Sequence, residues 1–107
     1  MLFRSDIADA RAVFREHTKQ ESTAAGAWNG LALCDIAEQD YESALRNVEE
    51  GLQTADENAI QGLLFNEIVI YEHMRDWKTA RSKAAAYVGR YPADEAGLRE
   101  YEFLSSR

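Results

Sequence analysis

Apolar positions recur at helical spacing through almost the whole chain. Trp28, Leu31, Ala32 and Ile36 mark one amphipathic stretch, with Asp35 among them. Leu64, Ile68 and Tyr71 mark a second, with Phe65 and Val69 on an adjoining stripe. Leu98, Tyr101 and Leu104 mark a last one, after Pro92 has stopped the helix before it. Nothing alternates at period two for long enough to make a strand. The pattern predicts six helices, over 5–19, 23–38, 41–54, 57–74, 77–90 and 94–105. The fold class is therefore all-α. The chain holds no low-complexity linker, so 1–107 reads as a single domain.

A repeat underlies the pattern. Asp40-Tyr41-Glu42-Ser43-Ala44 returns 36 residues later as Asp76-Trp77-Lys78-Thr79-Ala80. A looser copy, Asp6-Ile7-Ala8-Asp9-Ala10, lies 34 residues upstream of the first. Each copy is expected to open a helix. Its Asp can cap the N-terminus, accepting from free backbone N–H groups at the positive end of the helix dipole. The next residue and the Ala lie three apart on one face, and the small Ala lets a neighbouring helix approach. Phe14, Val48 and Ala84 continue that face.

These residues resemble the tetratricopeptide repeat (TPR) family, whose unit is a helix A, a tight turn and a helix B. A unit over 25–58 matches at Trp28, Leu31-Ala32, Tyr41, Ala44 and Gly51. It departs at Asp35, where an aromatic is usual, and at Asp56, where Pro is usual. A unit over 61–94 matches at Leu64, Ile68, Tyr71, Trp77, Ala80 and Pro92. It departs at Glu67, where Leu is usual, and at Tyr87, where a small residue is usual. A half repeat over 5–20 and a terminal helix over 94–105 flank the two units. The two-residue excess over the family's common period falls near Glu57–Gly62, in a connection or a helix start.

The resemblance implies a TPR-like α-α superhelix, a right-handed solenoid of helical hairpins. It also implies a scaffold for protein–protein interaction and no enzyme. In this family the A helices line a concave groove that takes a peptide or a helix. Carried onto this chain, the groove residues are Asn29, Leu33, Ile36, Phe65, Asn66, Val69, Glu72, Arg99 and Phe103. Leu33, Phe65, Val69 and Phe103 are apolar and have no evident role between helices. Either they anchor an apolar partner or the chain's own last helix or neighbouring repeats cover them. Some family members clamp a terminal carboxylate with Lys, Arg and Asn. Asn66 resembles one clamp asparagine, but Asn29 stands where a lysine is expected and the other basic places are not filled. The chain starts on a B-like helix and ends on an A-like one. That phase offers an alternative: an oligomerisation element, or part of a longer array, packing through its terminal helices. Leu2, Phe3 and Ile7 at one end, and Tyr101, Phe103 and Leu104 at the other, would form such contacts.

Composition narrows the partner. The 107 residues carry a net charge of −7, which disfavours nucleic acid and anionic lipid, since both require a basic face. Asp35 to Glu72 is strongly acidic with one base, Arg46, whereas His73 to Tyr91 is mostly basic. The two runs are either solvated faces or a charge dipole that orients a partner or a second copy. The single cysteine, Cys34, excludes an internal disulfide and sits in an apolar stretch, as a buried inert thiol would. No signal peptide or membrane-spanning run is visible, so the compartment stays open, with the cytoplasm as the default. There is no P-loop, dinucleotide glycine fingerprint or His-Glu-x-x-His motif, and no cofactor or metal is expected. His17 and His73 lie on different helices, and the adjacent Glu49 and Glu50 point apart.

Overall fold

The computed structural model describes residues 4–20, 24–54 and 57–106. Among these residues there are six helices and no strand: α1 (Arg4–His17), α2 (Ala24–Ala37), α3 (Tyr41–Leu52), α4 (Glu57–His73), α5 (Trp77–Arg90) and α6 (Glu95–Ser105). Leu2, Phe3 and Asp56, and the expected start of the second helix at 23, lie outside the described residues. Each helix packs on the next, and α2 also packs on α4. The radius of gyration is 14.0 Å, close to the roughly 13 Å expected of a folded chain this long.

The internal repeat is reproduced atom by atom at the two hairpin turns. Asp40 caps α3 and Asp76 caps α5, their carboxylates accepting from the backbone of Ser43 and Thr79 at 3.3 and 3.2 Å. Just before each cap, Gln39 and Arg75 take left-handed backbone conformations, with φ of 63° and 61°. The N–H of Asp40 reaches the carbonyl of Asp35, and that of Asp76 the carbonyl of Tyr71. With the bonds from Gln39 to Ile36 and Arg75 to Glu72, each turn is a Schellman motif running straight into an N-cap. Asp6 does not follow this plan. It lies within the first turn of α1, where it meets the helix dipole without being the cap residue.

The two repeats build two cores. Ala32, Ala44, Val48, Leu63 and Ile70 form the first, with Ile36, Tyr41, Leu45 and Leu52 against it. Ile68, Ala80, Ala84, Tyr87 and Leu104 form the second, with Leu64, Phe65, Tyr71, Trp77, Tyr91 and Tyr101 around it. Helix α4 supplies both, which explains why it is apolar on more than one stripe. The small residues at 44 and 80 are fully buried, so their neighbouring helices close down on them.

Part of the acidic run is paired within the fold. Asp35 is only 1% exposed. It accepts from Arg11 and from Asn47, each at 2.6 Å, which ties α1, α2 and α3 together. Arg11 also bonds Glu38. The hydrogen bond to Asp35 raises the Arg11 pKa above its ordinary value, against the opposing effect of burial. In the second repeat the buried Glu67 meets Lys83 at 3.5 Å, and Glu57 meets Arg90 at 2.9 Å. Two ion pairs thus join the α4 part of the acidic run to the basic run on α5. Cys34 is buried, and desolvation pushes its thiol pKa up. No described helix is long and apolar enough to cross a membrane.

Candidate functional site

The candidate residues on α2, α4 and α6 meet two different environments. Between α2 and α4 the helices are close. Asn29 lies over Gly62, where an added Cβ would sit 3.3 Å from its amide nitrogen. Asn66 donates to Asn29 at 2.6 Å across the same junction. The two groove asparagines are therefore bonded to one another.

Between α4 and the start of α6 the surface opens into a cleft of about 340 Å³. Asn58, Gln61, Gly62, Phe65 and Asn66 of α4 line it, with Tyr87 from α5 and Asp94 and Ala96 from the α6 entry. Asp94 caps α6 by accepting from the N–H of Gly97 at 3.1 Å. The same carboxylate oxygen accepts from the Tyr87 hydroxyl at 2.7 Å, and that hydroxyl accepts from the Gln61 amide at 3.1 Å. Burial, then the bond to Asp94, pushes the Tyr87 pKa above its usual value. The Phe65 ring meets Tyr87 edge-on at 5.6 Å. Aromatic surface and side-chain amides, each amide both donor and acceptor, thus share one recess.

Of the nine residues singled out in the sequence, Phe65 and Asn66 line this cleft. Asn29 bonds Asn66 from the α2 side. Ile36 packs on the first core and Phe65 on the second, so Phe65 does have a role between helices. Leu33 and Phe103 are 50% and 47% exposed. Val69 and Glu72 are half-buried, and Arg99 is exposed beside Glu95 at 3.9 Å. The cleft residues that were not singled out are Asn58, Gln61, Gly62, Tyr87, Asp94 and Ala96. Helical spacing could have found Asn58 and Gly62, seven and three residues before Phe65. Tyr87 was visible as a departure from the family pattern.

A second recess, of about 200 Å³, lies between α4 and α5, lined by Leu64, Glu67, Lys83, Ala86, Tyr87 and Arg90. Its charged walls are already paired, Lys83 with Glu67 and Arg90 with Glu57. Among the described residues no three His, Cys, Asp or Glu side chains converge as metal ligands. No protein-family model matches this chain, and neither the curated proteins nor the solved structures searched include a match to it.

Proposed function

We propose that this chain is a TPR-like interaction module that binds a protein segment on the side of α2, α4 and α6, with the α4–α6 cleft as the principal seat. The observation that carries the reading is the cleft itself. It presents the Phe65 ring beside the amides of Asn58, Gln61 and Asn66, a pairing suited to an apolar side chain and a peptide backbone. The repeated turns at Gln39-Asp40 and Arg75-Asp76, and the packing of α2 on α4, support the TPR-like superhelix on which the reading draws. Exposed Leu33 and Phe103 would extend the contact beyond the cleft.

The test fills the cleft without touching the core. Ala96→Trp places an indole where Ala96 lines the recess. Peptides selected from a random library on the wild-type chain should bind it saturably and lose binding to Ala96→Trp, while the thermal midpoint stays within a few degrees. Equal binding to both proteins would place the binding site elsewhere.

A second reading, self-association through the terminal helices, is favoured by Val13 on α1 and Leu98 and Phe103 on α6, exposed by 56%, 36% and 47%. Light scattering over a wide concentration range decides it, and a strict monomer throughout removes it.

A further inference from the structure

Three apolar residues hold corresponding places on successive A-like helices. Leu33 of α2 and Val69 of α4 are 36 residues apart, and Phe103 of α6 follows 34 residues later. Leu33 and Phe103 are 50% and 47% exposed, and Val69 is half-buried. Val69 stands one helical turn beyond Phe65, which lines the α4–α6 cleft. Beside Phe65 the cleft wall carries the amides of Gln61 and Asn66. Each amide has two N–H groups, and the bonds to Tyr87 and to Asn29 use one apiece. An occupant that covers this surface must set apolar side chains along the row. It must also bring acceptors to the amides, because an amide buried without a partner is costly.

Spacing selects the backbone of that occupant. Helix α2 packs on α4, and packed helices lie about 8–10 Å apart. A β-strand does not match this step, since its residues on one face recur at about 7 Å and then about 13 Å. An α-helix matches it over seven residues, at about 10.5 Å, but its carbonyls are already bonded within the helix. A polyproline II segment advances about 9 Å in each three-residue turn, so residues three apart share a face, and its carbonyls have no internal partner.

We propose that the occupant is a proline-rich segment in the polyproline II conformation, laid across α2, α4 and α6. Every third residue is apolar and meets the row of Leu33, Val69 and Phe103. A proline ring lies on Phe65, and the carbonyls between accept from Gln61 and Asn66. The proposal rests on the groove reading above and adds the backbone form and composition of the partner.

The experiment is a random peptide library displayed on phage, selected on the wild-type chain and counter-selected on Ala96→Trp. Two synthetic peptides are titrated beside it: three repeats of Pro-Pro-Leu, and the same peptide with every proline replaced by alanine. The expected result is enrichment of proline with apolar residues three apart, and Pro-Pro-Leu repeats bound about tenfold more tightly than their alanine counterpart. Leu33→Ser and Phe103→Ser should each weaken that binding by about fivefold, the loss of one partly buried apolar contact, while the thermal midpoint stays within a few degrees. Added salt should leave the binding of this uncharged probe nearly unchanged. Enrichment of proline-free sequences, or Pro-Pro-Leu repeats bound no better than their alanine counterpart, overturns the polyproline II partner and leaves the groove reading standing. Full binding by both serine variants overturns the row as its seat. No enrichment over Ala96→Trp overturns the proposal and the groove reading together. Self-association of the free chain that Ala96→Trp abolishes would assign the cleft to a second copy and overturn the proposal.

Discussion

The same junction is built twice in this molecule, with the bulk on opposite sides. Gly51 of α3 and Tyr87 of α5 occupy equivalent places, 36 residues apart. At the first, Gly51 is bare and Leu63 of α4 fills the space: a Cβ on Gly51 would lie 2.8 Å from the Leu63 side chain. At the second, Tyr87 supplies the bulk and Gly97 of α6 is bare: a Cβ there would lie 2.4 Å from the Tyr87 ring. Volume is conserved across each contact, as close packing requires. Chemistry is not. Leu63 is wholly apolar, whereas Tyr87 carries a hydroxyl that must be satisfied, and Gln61 and Asp94 satisfy it. Exchanging Gly–Leu for Tyr–Gly thus brings polar groups to the second junction, which is where the cleft lies.

The two repeats also hold their outer helices differently. The first secures α1 through the buried Asp35, and the second takes Leu104 of α6 into a cluster with Tyr87 on which Tyr71 and Tyr91 pack. The largest effect is expected where a buried charge would lose its partner. Arg11→Met strips Asp35 of its cation and should destabilise the chain by about 3–5 kcal/mol in urea unfolding. Adding Asp35→Leu should recover much of that loss. A cost below about 1 kcal/mol for Arg11→Met would mean that α1 is not held by this pair.

The size exchange is tested next. Gly97→Ala forces a methyl group against the Tyr87 ring and should cost about 1–3 kcal/mol, the usual penalty of overpacking. Transplanting the first junction into the second, with Tyr87→Gly and Gly97→Leu together, should cost less than the sum of the single changes. Strict additivity in that cycle would show that the two residues do not trade volume.

Tyr87→Phe keeps the bulk and removes the polar link. About 1 kcal/mol should be lost near neutral pH, since Gln61 and Asp94 lose a partner. The change should also alter the alkaline limb. The folded Tyr87 pKa is raised, so the folded chain holds a proton that the unfolded chain gives up near pH ~10. The stability it contributes is complete below that pH and is lost as pH rises through the folded value. Midpoints measured across this range should fall less steeply in Tyr87→Phe than in wild type.

The smallest effects probe what the repeats share. Gln39→Gly and Arg75→Gly relieve left-handed backbone at matching turns and should each stabilise by about 0.5–1 kcal/mol. Unequal gains in thermal denaturation would show that the two turns are less alike than their hydrogen bonds indicate.

The helices were legible because their signals are local. Asp40 and Asp76 cap where the pattern places them, Pro92 follows the end of α5, and the apolar spacing gives six helices with ends shifted by no more than a few residues. Asp6 misled because a cap motif marks a helix start only to within a turn, and α1 begins before it. The candidate site was legible only in part. The family resemblance singled out Phe65 and Asn66, and both line the α4–α6 cleft. Tyr87 and Asp94 reach the same recess from α5 and the α6 entry, and no spacing along the chain relates them to Phe65.

By itself, then, the sequence determined an all-helical chain with an internal repeat and two matching turns, since capping, period and turn chemistry act over a few residues. Tertiary structure decided that Asp35 would be a buried anchor for Arg11, that Asn66 would bond to Asn29, and that Tyr87 and Gly97 would exchange bulk beside an open cleft. Those outcomes depend on which surfaces remain after the helices have packed, and packing is a property of pairs of distant residues.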